Sequence, residues 1–207
     1  MMPEKKRMIA KTLSLAVTIG GMIVIAGWIF DIGVLKSISS AWVSMKLATA
    51  FTFVLSGITL YFIVRAGEGE FDKAQVVISL TSLTIMLLMG ILLFSALLKI
   101  HTGVEDLFIK ESVRTAKDVT PGRPSAPTIL NFILIAVAGI LTLLNRDALP
   151  SKLRIIGMIV GTIGAVALVG YSIDAPMLYY FIEGINGAIA LHTAILFVLL
   201  GIGLLCL

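Results

Sequence analysis

The 207 residues are 58% hydrophobic and 14% charged, with a formal net charge of +4 and a mean hydropathy of +1.07. A soluble domain carries about 25% charged residues, so a soluble globular domain is excluded. The charge is too small and too scattered for a nucleic-acid surface, and the single cysteine, Cys206, excludes an internal disulfide.

The opening, MMPEKKR and then an apolar run, resembles a secretory signal. The run from Leu13 to Phe30 exceeds the roughly 7–15 residues of a signal's apolar region, and no small-x-small cleavage site follows. It is read as a retained first helix, about 10–31. Hydropathy predicts five further spans at about 46–66, 74–98, 126–144, 153–173 and 187–207. GEGEFD (Gly67 to Asp72) and NRDALPS (Asn145 to Ser151) are short polar turns that make helical hairpins. Ile32 to Met45, Ile100 to Ser125 and Ile173 to Asn186 are longer, and their mixed polarity predicts short amphipathic segments at the interface. The stretch EDLFIKESVRTAKD is expected to be one such helix. The predicted fold is all-α: residues 1–207 as a single integral membrane domain of six transmembrane helices with an outer cap.

Lysine and arginine set the orientation. Lys5, Lys6, Arg7 and Lys11 cluster beside the first helix, and Arg65, Lys73, Arg146, Lys152 and Arg154 flank the short turns. Lys36, Lys46, Lys99, Lys110, Arg114, Lys117 and Arg123 lie on the other side. The N-terminal cluster decides for both termini in the cytoplasm and the longer connections outside, in a multi-pass protein of the cell membrane.

A helix template recurs three times. Thr49, Phe53 and Gly57 share one helical face at steps of four, as do Thr128, Phe132 and Ala136, and Thr193, Phe197 and Gly201. Each closes a unit of one outward and one inward helix, about 9–66, 74–144 and 153–207. Two crossings per unit make the copies parallel, which predicts approximate threefold symmetry about the membrane normal. Gly27, Trp28 and Asp31 end the first outward helix, and Gly170, Tyr171 and Asp174 end the third at the same offsets. The middle unit aligns less well, with Gly90, Ile91 and Phe94. The small third motif residue lets a neighbouring helix approach. Gly157, Gly161, Gly164 and Gly170 predict a tightly packed fifth helix near the bundle centre.

GVEDLF (Gly103 to Phe108), GRPSAPTILNFILIAVAGILTLL (Gly122 to Leu144), GYSIDAPMLY (Gly170 to Tyr179) and IALHTAILFVLLGIGLL (Ile189 to Leu205) resemble a recurring membrane region. It lies at the N-terminus of bacterial and archaeal sensor histidine kinases and of related PAS-containing or diguanylate cyclase proteins. MKLATAFTFVLSGITL (Met45 to Leu60) resembles its first inward helix, and Leu-His-Thr-Ala is the most specific element. Pro124, Ile189 and Val104-Glu105 depart from the pattern. The resemblance implies an input module for a cytoplasmic signalling domain, in cis or in trans, with homodimerisation expected from the kinases. It implies no particular ligand.

The ligand-binding candidates are His192, Asp31, Asp174, Trp28, Tyr171 and Arg123. An ionisable group at membrane depth is a functional hypothesis by default. The plainer reading of His192, a helix-start histidine bonded to a neighbouring helix or to interfacial water, is preferred. Trp28, Tyr171 and the two aspartates read first as interface anchors and span ends, and Arg123 as a surface partner of Asp118 or Glu111. Asn131 is expected to make an interhelical hydrogen bond, and Phe53, Phe132 and Phe197 to be packing. If a pocket exists, the first five candidates are expected to converge on it beneath the cap. No metal site and no cofactor is predicted; haem or a metal on His101 and His192 is the lesser alternative.

No phosphate loop, metalloprotease motif or nucleophile elbow is present, so the chain is read as non-enzymatic. The expected function is membrane-embedded signal input. A small molecule, a lipid or a membrane state biases the helix packing, and the last helix passes that bias to a cytoplasmic domain. The final span has no charge after it, so the chain is expected to be the membrane module of a longer protein or a relic of one. The alternatives are a small transporter or channel, and a haem- or quinone-binding membrane protein.

Overall fold

The structure is a computed structural model that describes residues 4–39, 42–98, 100, 102–104, 122–144, 149–180 and 187–207. The described residues form α-helices and no strand: α1 (Glu4–Ile29), α2 (Gly33–Lys36), α3 (Leu47–Gly67), α4 (Phe71–Leu98), α5 (Ala126–Leu144), α6 (Leu149–Ser172), α7 (Met177–Tyr180) and α8 (Leu191–Leu205). The EDLFIKESVRTAKD stretch, Asn145, Arg146 and Asn186 lie outside them. The short helices α2 and α7 fall in two of the segments expected to hold interfacial helices.

α1, α3, α4, α5 and α6 are long and apolar enough to cross a membrane, and α8 is apolar but shorter. Its 15 residues extend about 22 Å, against a hydrocarbon core of about 30 Å. The sixth predicted span began at residue 187, but 187–190 are not helical. The Ile189 N–H instead donates to the Tyr179 carbonyl at 2.9 Å, which holds that segment against α7.

Burial places these helices against lipid. α1, α4 and α6 turn large apolar side chains outward, among them Leu15, Ile19, Leu80, Leu87, Ile155 and Met158. Water would not tolerate that continuous surface on a monomer; bilayer hydrocarbon does. The chain is a multi-pass helical membrane protein. α3, α5 and α8 are the inner helices, and α3 is the most buried of the spanning set.

The helices pair as α1 with α3, α4 with α5 and α6 with α8. The pairs also touch in closed order: α3 packs on α4, α5 on α6, and α8 on α1. At the N-terminal face Lys11 Nζ donates to Glu68 at 2.6 Å, which ties the start of α1 to the end of α3. Gly69, at φ +99°, closes the turn into α4.

Close backbone approach sets the pairs. A Cβ on Gly57 would lie 2.6 Å from the Ser14 carbonyl oxygen, and one on Gly164 would lie 2.7 Å from that of Ala194. α6 is therefore packed as tightly as its glycines predict, but it is not central. Gly157, Val160, Gly164 and Ala167 are buried on one face, while Ile155, Met158, Ile159 and Val169 are exposed on the other. Gly157, Gly161 and Gly164 face α8, and Gly170 faces Leu178 and Tyr179 of α7, so they mark a contact stripe and not a position in the bundle.

Where the inner helices meet, Phe53, Phe132 and Phe197 form a closed aromatic cluster with no exposure. Ring centroids are 4.8 Å apart for Phe53–Phe132 and for Phe53–Phe197, and 5.0 Å for Phe132–Phe197. Edge and tilted contacts of this kind are worth about 0.5–1.5 kcal/mol each beyond area burial.

Asn131 departs from expectation. It is fully buried in α5, and neither side-chain amide atom has a hydrogen-bond partner among the described residues. Leaving a buried polar group unsatisfied costs about 1–3 kcal/mol. Asn131→Leu, apolar and with the same branched shape and number of heavy atoms, is therefore expected to stabilise the protein by about 1 kcal/mol or more. A thermal midpoint in detergent that falls on this substitution would instead reveal a partner, such as an ordered water, that the amide needs.

Candidate functional site

α3, α5 and α8 start side by side at the face opposite the N-terminus. Lys46, Ser125 and Ala190 precede them, and each carbonyl accepts the first intrahelical bond at 3.0 Å, from Ala50, Ile129 and Ala194 respectively. Neither Lys46 nor Ala190 caps its helix with a side chain, because neither side chain has an acceptor. The first turns of α3 and α8 therefore receive no cap from the side chain of the residue that precedes them. One turn in, Thr49, Thr128 and Thr193 are all buried.

These three starts enclose a cavity. Its walls come from the segments 43–46, 123–125 and 187–190 together with the three threonines. It has room for one water-sized group, about 20 Å³, and reaches about 290 Å³ when its open mouth is included. The motif phenylalanines follow one turn further along each inner helix. Ser125 Oγ and Thr128 Oγ1 share a hydrogen bond of 2.8 Å. Two cations reach the wall. Lys46 is buried, with 8% exposure. Arg123 is half-buried, and its Nη1 donates to the Ser95 carbonyl at 3.4 Å. Both also engage further groups of the protein.

Aromatic struts hold two of the walls. Trp28 Nε1 donates to the Met45 carbonyl at 2.9 Å, and the Tyr171 hydroxyl donates to the Ile189 carbonyl at 2.8 Å. Lys36 covers the Trp28 ring at 4.7 Å and ion-pairs with Asp31. Tyr179 covers Tyr171 in the same way, stacked at 4.1 Å and 8°. Burial, and then the Asp174 carboxylate, push the Tyr179 phenol above its ordinary value. Trp42 meets Tyr171 edge-on at 5.4 Å and joins the two struts.

The Gly–aromatic–Asp pattern now has a physical reading. Asp31 and Asp174 lie in the left-handed region at φ 54° and 51°, which aspartate tolerates better than most residues. Each closes its helix end, with Ile32 N–H donating to Gly27 and Ala175 N–H to Gly170, both at 2.8 Å. The two glycines leave room for Leu35 and Leu178, whose Cβ atoms would lie 2.6 Å and 2.7 Å from an added Cβ. In the middle pair the same closure is Ile100 N–H to the Ser95 carbonyl at 3.2 Å. Ser95 therefore fills the place that the sequence assigned to Gly90, five residues earlier. Its hydroxyl donates to the Ile100 carbonyl at 2.8 Å.

The expected convergence of His192, Asp31, Asp174, Trp28 and Tyr171 on one pocket does not occur. Asp31 and Asp174 are exposed, and Trp28 and Tyr171 brace the backbone behind the wall. His192 is half-buried in the first turn of α8 and does not line the cavity. Only Arg123, of the six ligand candidates, does. His101 lies outside the described residues, and among those described no three His, Cys, Asp or Glu side chains cluster as metal ligands. Sequence reasoning missed Lys46. Its signal was positional: it stands three residues before Thr49, as Ser125 stands before Thr128 and Ala190 before Thr193.

Comparison with protein-family models, with curated proteins and with solved structures returns no match.

Proposed function

We propose that the chain is a membrane-embedded signal-input module, built as three parallel two-helix units (about 9–66, 74–144 and 153–207), with α8 completing a sixth crossing and α2, α7 and their flanking segments forming an outer cap. Its termini face the cytoplasm, and α8 passes the signal to a cytoplasmic output domain in cis or in trans, in a homodimer. The observation that carries this reading is the meeting of three inner helix starts, one from each pair, at one cavity. A group bound there touches all three units at once, so its occupancy can favour one relative packing over another. The closed order of pair contacts and the shared helix-end closures at Gly27, Ser95 and Gly170 support the repeat. The likeness of GRPSAPTILNFILIAVAGILTLL and IALHTAILFVLLGIGLL to sensor-kinase membrane regions supports the signalling role. The fully buried phenylalanine cluster counts against a conducting path.

A chimera with a histidine-kinase cytoplasmic region joined after Leu207 tests this. Autophosphorylation in membrane vesicles is expected to change severalfold when Thr193→Val or Lys46→Met alters the cavity. Kinase activity indifferent to both substitutions, with solute flux through proteoliposomes of the unfused protein, would favour transport instead.

A further inference from the structure

We propose that the cavity holds one ordered water that joins the three units through the hydroxyls of Thr49 and Thr193 and the Ser125–Thr128 pair. The site goes beyond the signal-input reading, and rests on it only for the claim that losing this water is transmitted to an output domain.

The carbonyls one turn back decide which hydroxyls are left for the cavity. A buried threonine in a helix can donate to the carbonyl four residues earlier. Thr52, Thr59 and Thr142 do so, to Ala48, Leu55 and Ala138, at 2.7 Å, 2.8 Å and 2.8 Å. For Thr49 that carbonyl is Met45, which accepts Trp28 Nε1. For Thr193 it is Ile189, which accepts the Tyr171 hydroxyl. The struts that hold the walls therefore take the acceptors that these two threonines would use. Neither hydroxyl has a partner among the described residues, although Thr49 and Thr193 are only 3% and 2% exposed and both line the cavity. Leaving such a group unsatisfied is costly. Thr128 bonds Ser125, and a hydroxyl has one donor and two acceptor sites, so that pair keeps capacity for a further partner.

Size and charge fix the occupant. The inner volume of about 20 Å³ exceeds the roughly 10–15 Å³ that one water needs, and a buried water makes about three hydrogen bonds. The three units offer that number. Lys46 and Arg123 stand in the wall and repel a metal ion, while their own N–H groups engage the protein. A neutral molecule that both donates and accepts is what remains, and the open mouth lets it exchange.

Thermal unfolding of the full chain in one detergent, paired with an experimental structure that resolves ordered solvent, tests this. Thr49→Val and Thr193→Val keep the side-chain shape and remove one hydroxyl each. Each is expected to lower the midpoint by about 2–4 °C. The double variant should fall about as far as either single one, because both lose the same water. Thr142→Val, whose hydroxyl bonds within α5, should instead add in full to Thr49→Val. Exchanging sodium chloride for choline chloride should leave every midpoint unchanged. The structure, determined in lipid nanodiscs, should show one solvent peak within about 3 Å of Thr49 Oγ1, of Thr193 Oγ1 and of either Ser125 Oγ or Thr128 Oγ1. Either threonine hydroxyl bonded to a protein group in place of solvent, strict additivity of Thr49→Val and Thr193→Val, or a midpoint that rises saturably with sodium overturns the proposal. The kinase chimera keeps the two ideas separable. The solvent peak with autophosphorylation unaltered in Thr193→Val would sink the signalling reading and leave the water standing. Altered autophosphorylation without the peak would do the reverse.

Discussion

Gly201→Val is expected to pull α6 and α8 apart. A Cβ at Gly201 would lie 2.5 Å from Gly161 Cα and 2.7 Å from both Gly157 O and Gly161 N. Those are backbone atoms of a helix, with no flexible side-chain end to yield. Overpacking a core costs about 1–3 kcal/mol where side chains can rearrange, and more where they cannot. The expected loss is therefore about 3 kcal/mol or more, roughly 6–12 °C in thermal midpoint for a chain of this size. Two further glycines calibrate the result. At Gly20 a Cβ meets only the Leu196 side chain, with its Cδ2 at 2.8 Å, so Gly20→Ala should cost far less. At Gly90 nothing lies within 4 Å, and Gly90→Ala should stabilise α4 by about 0.5–1 kcal/mol. A Gly201→Val protein as stable as the parent would mean that α6 and α8 are not in backbone contact.

Phe197→Ala has the second-largest expected effect. The ring has no exposure and touches Phe53 and Phe132 with centroids 4.8 Å and 5.0 Å away. In soluble cores this substitution costs about 3–5 kcal/mol, part transfer from water and part cavity. In a bilayer the helices separate into lipid and not into water, so the transfer part shrinks and packing remains. Two lost aromatic contacts at about 0.5–1.5 kcal/mol each, together with an unfilled void, place the loss at about 3 kcal/mol. Phe53→Ala and Phe132→Ala should match it, and any two combined should cost less than their sum, since they share one contact. Thermal unfolding of the single and double variants in one detergent checks both statements. Strict additivity would mean that the rings do not form one cluster.

Much of the bundle is legible in the sequence because membrane physics leaves few options. Apolar runs of spanning length can satisfy their backbone only as helices, so the spans at 46–66, 74–98 and 126–144 lie within a few residues of α3, α4 and α5. The Thr-Phe-small face shows in the letters because a step of four puts those residues on one side of a helix. The Gly–aromatic–Asp helix ends show for a similar reason, since their backbone turn and close approach restrict which residues fit.

The candidate site is less legible. It joins segments 43–46, 123–125 and 187–190, far apart in sequence and without helical period, so no pattern announces that they meet. Lys46 reads as one more interfacial charge until the structure buries it. Ser95 replaces glycine in the middle closure because its hydroxyl is satisfied locally by the Ile100 carbonyl, and that local compensation hid the register. The glycines of α6 specified close contacts, with α8 and at Gly170 with α7, without specifying which side of the bundle those partners occupied. Composition and periodicity alone determined that this is an all-helical, multi-pass membrane protein, because hydrocarbon allows a backbone little else. Which helices lie inside, which charges are buried and where three helix starts converge were decided by tertiary packing, because those depend on contacts between residues that only the fold brings together.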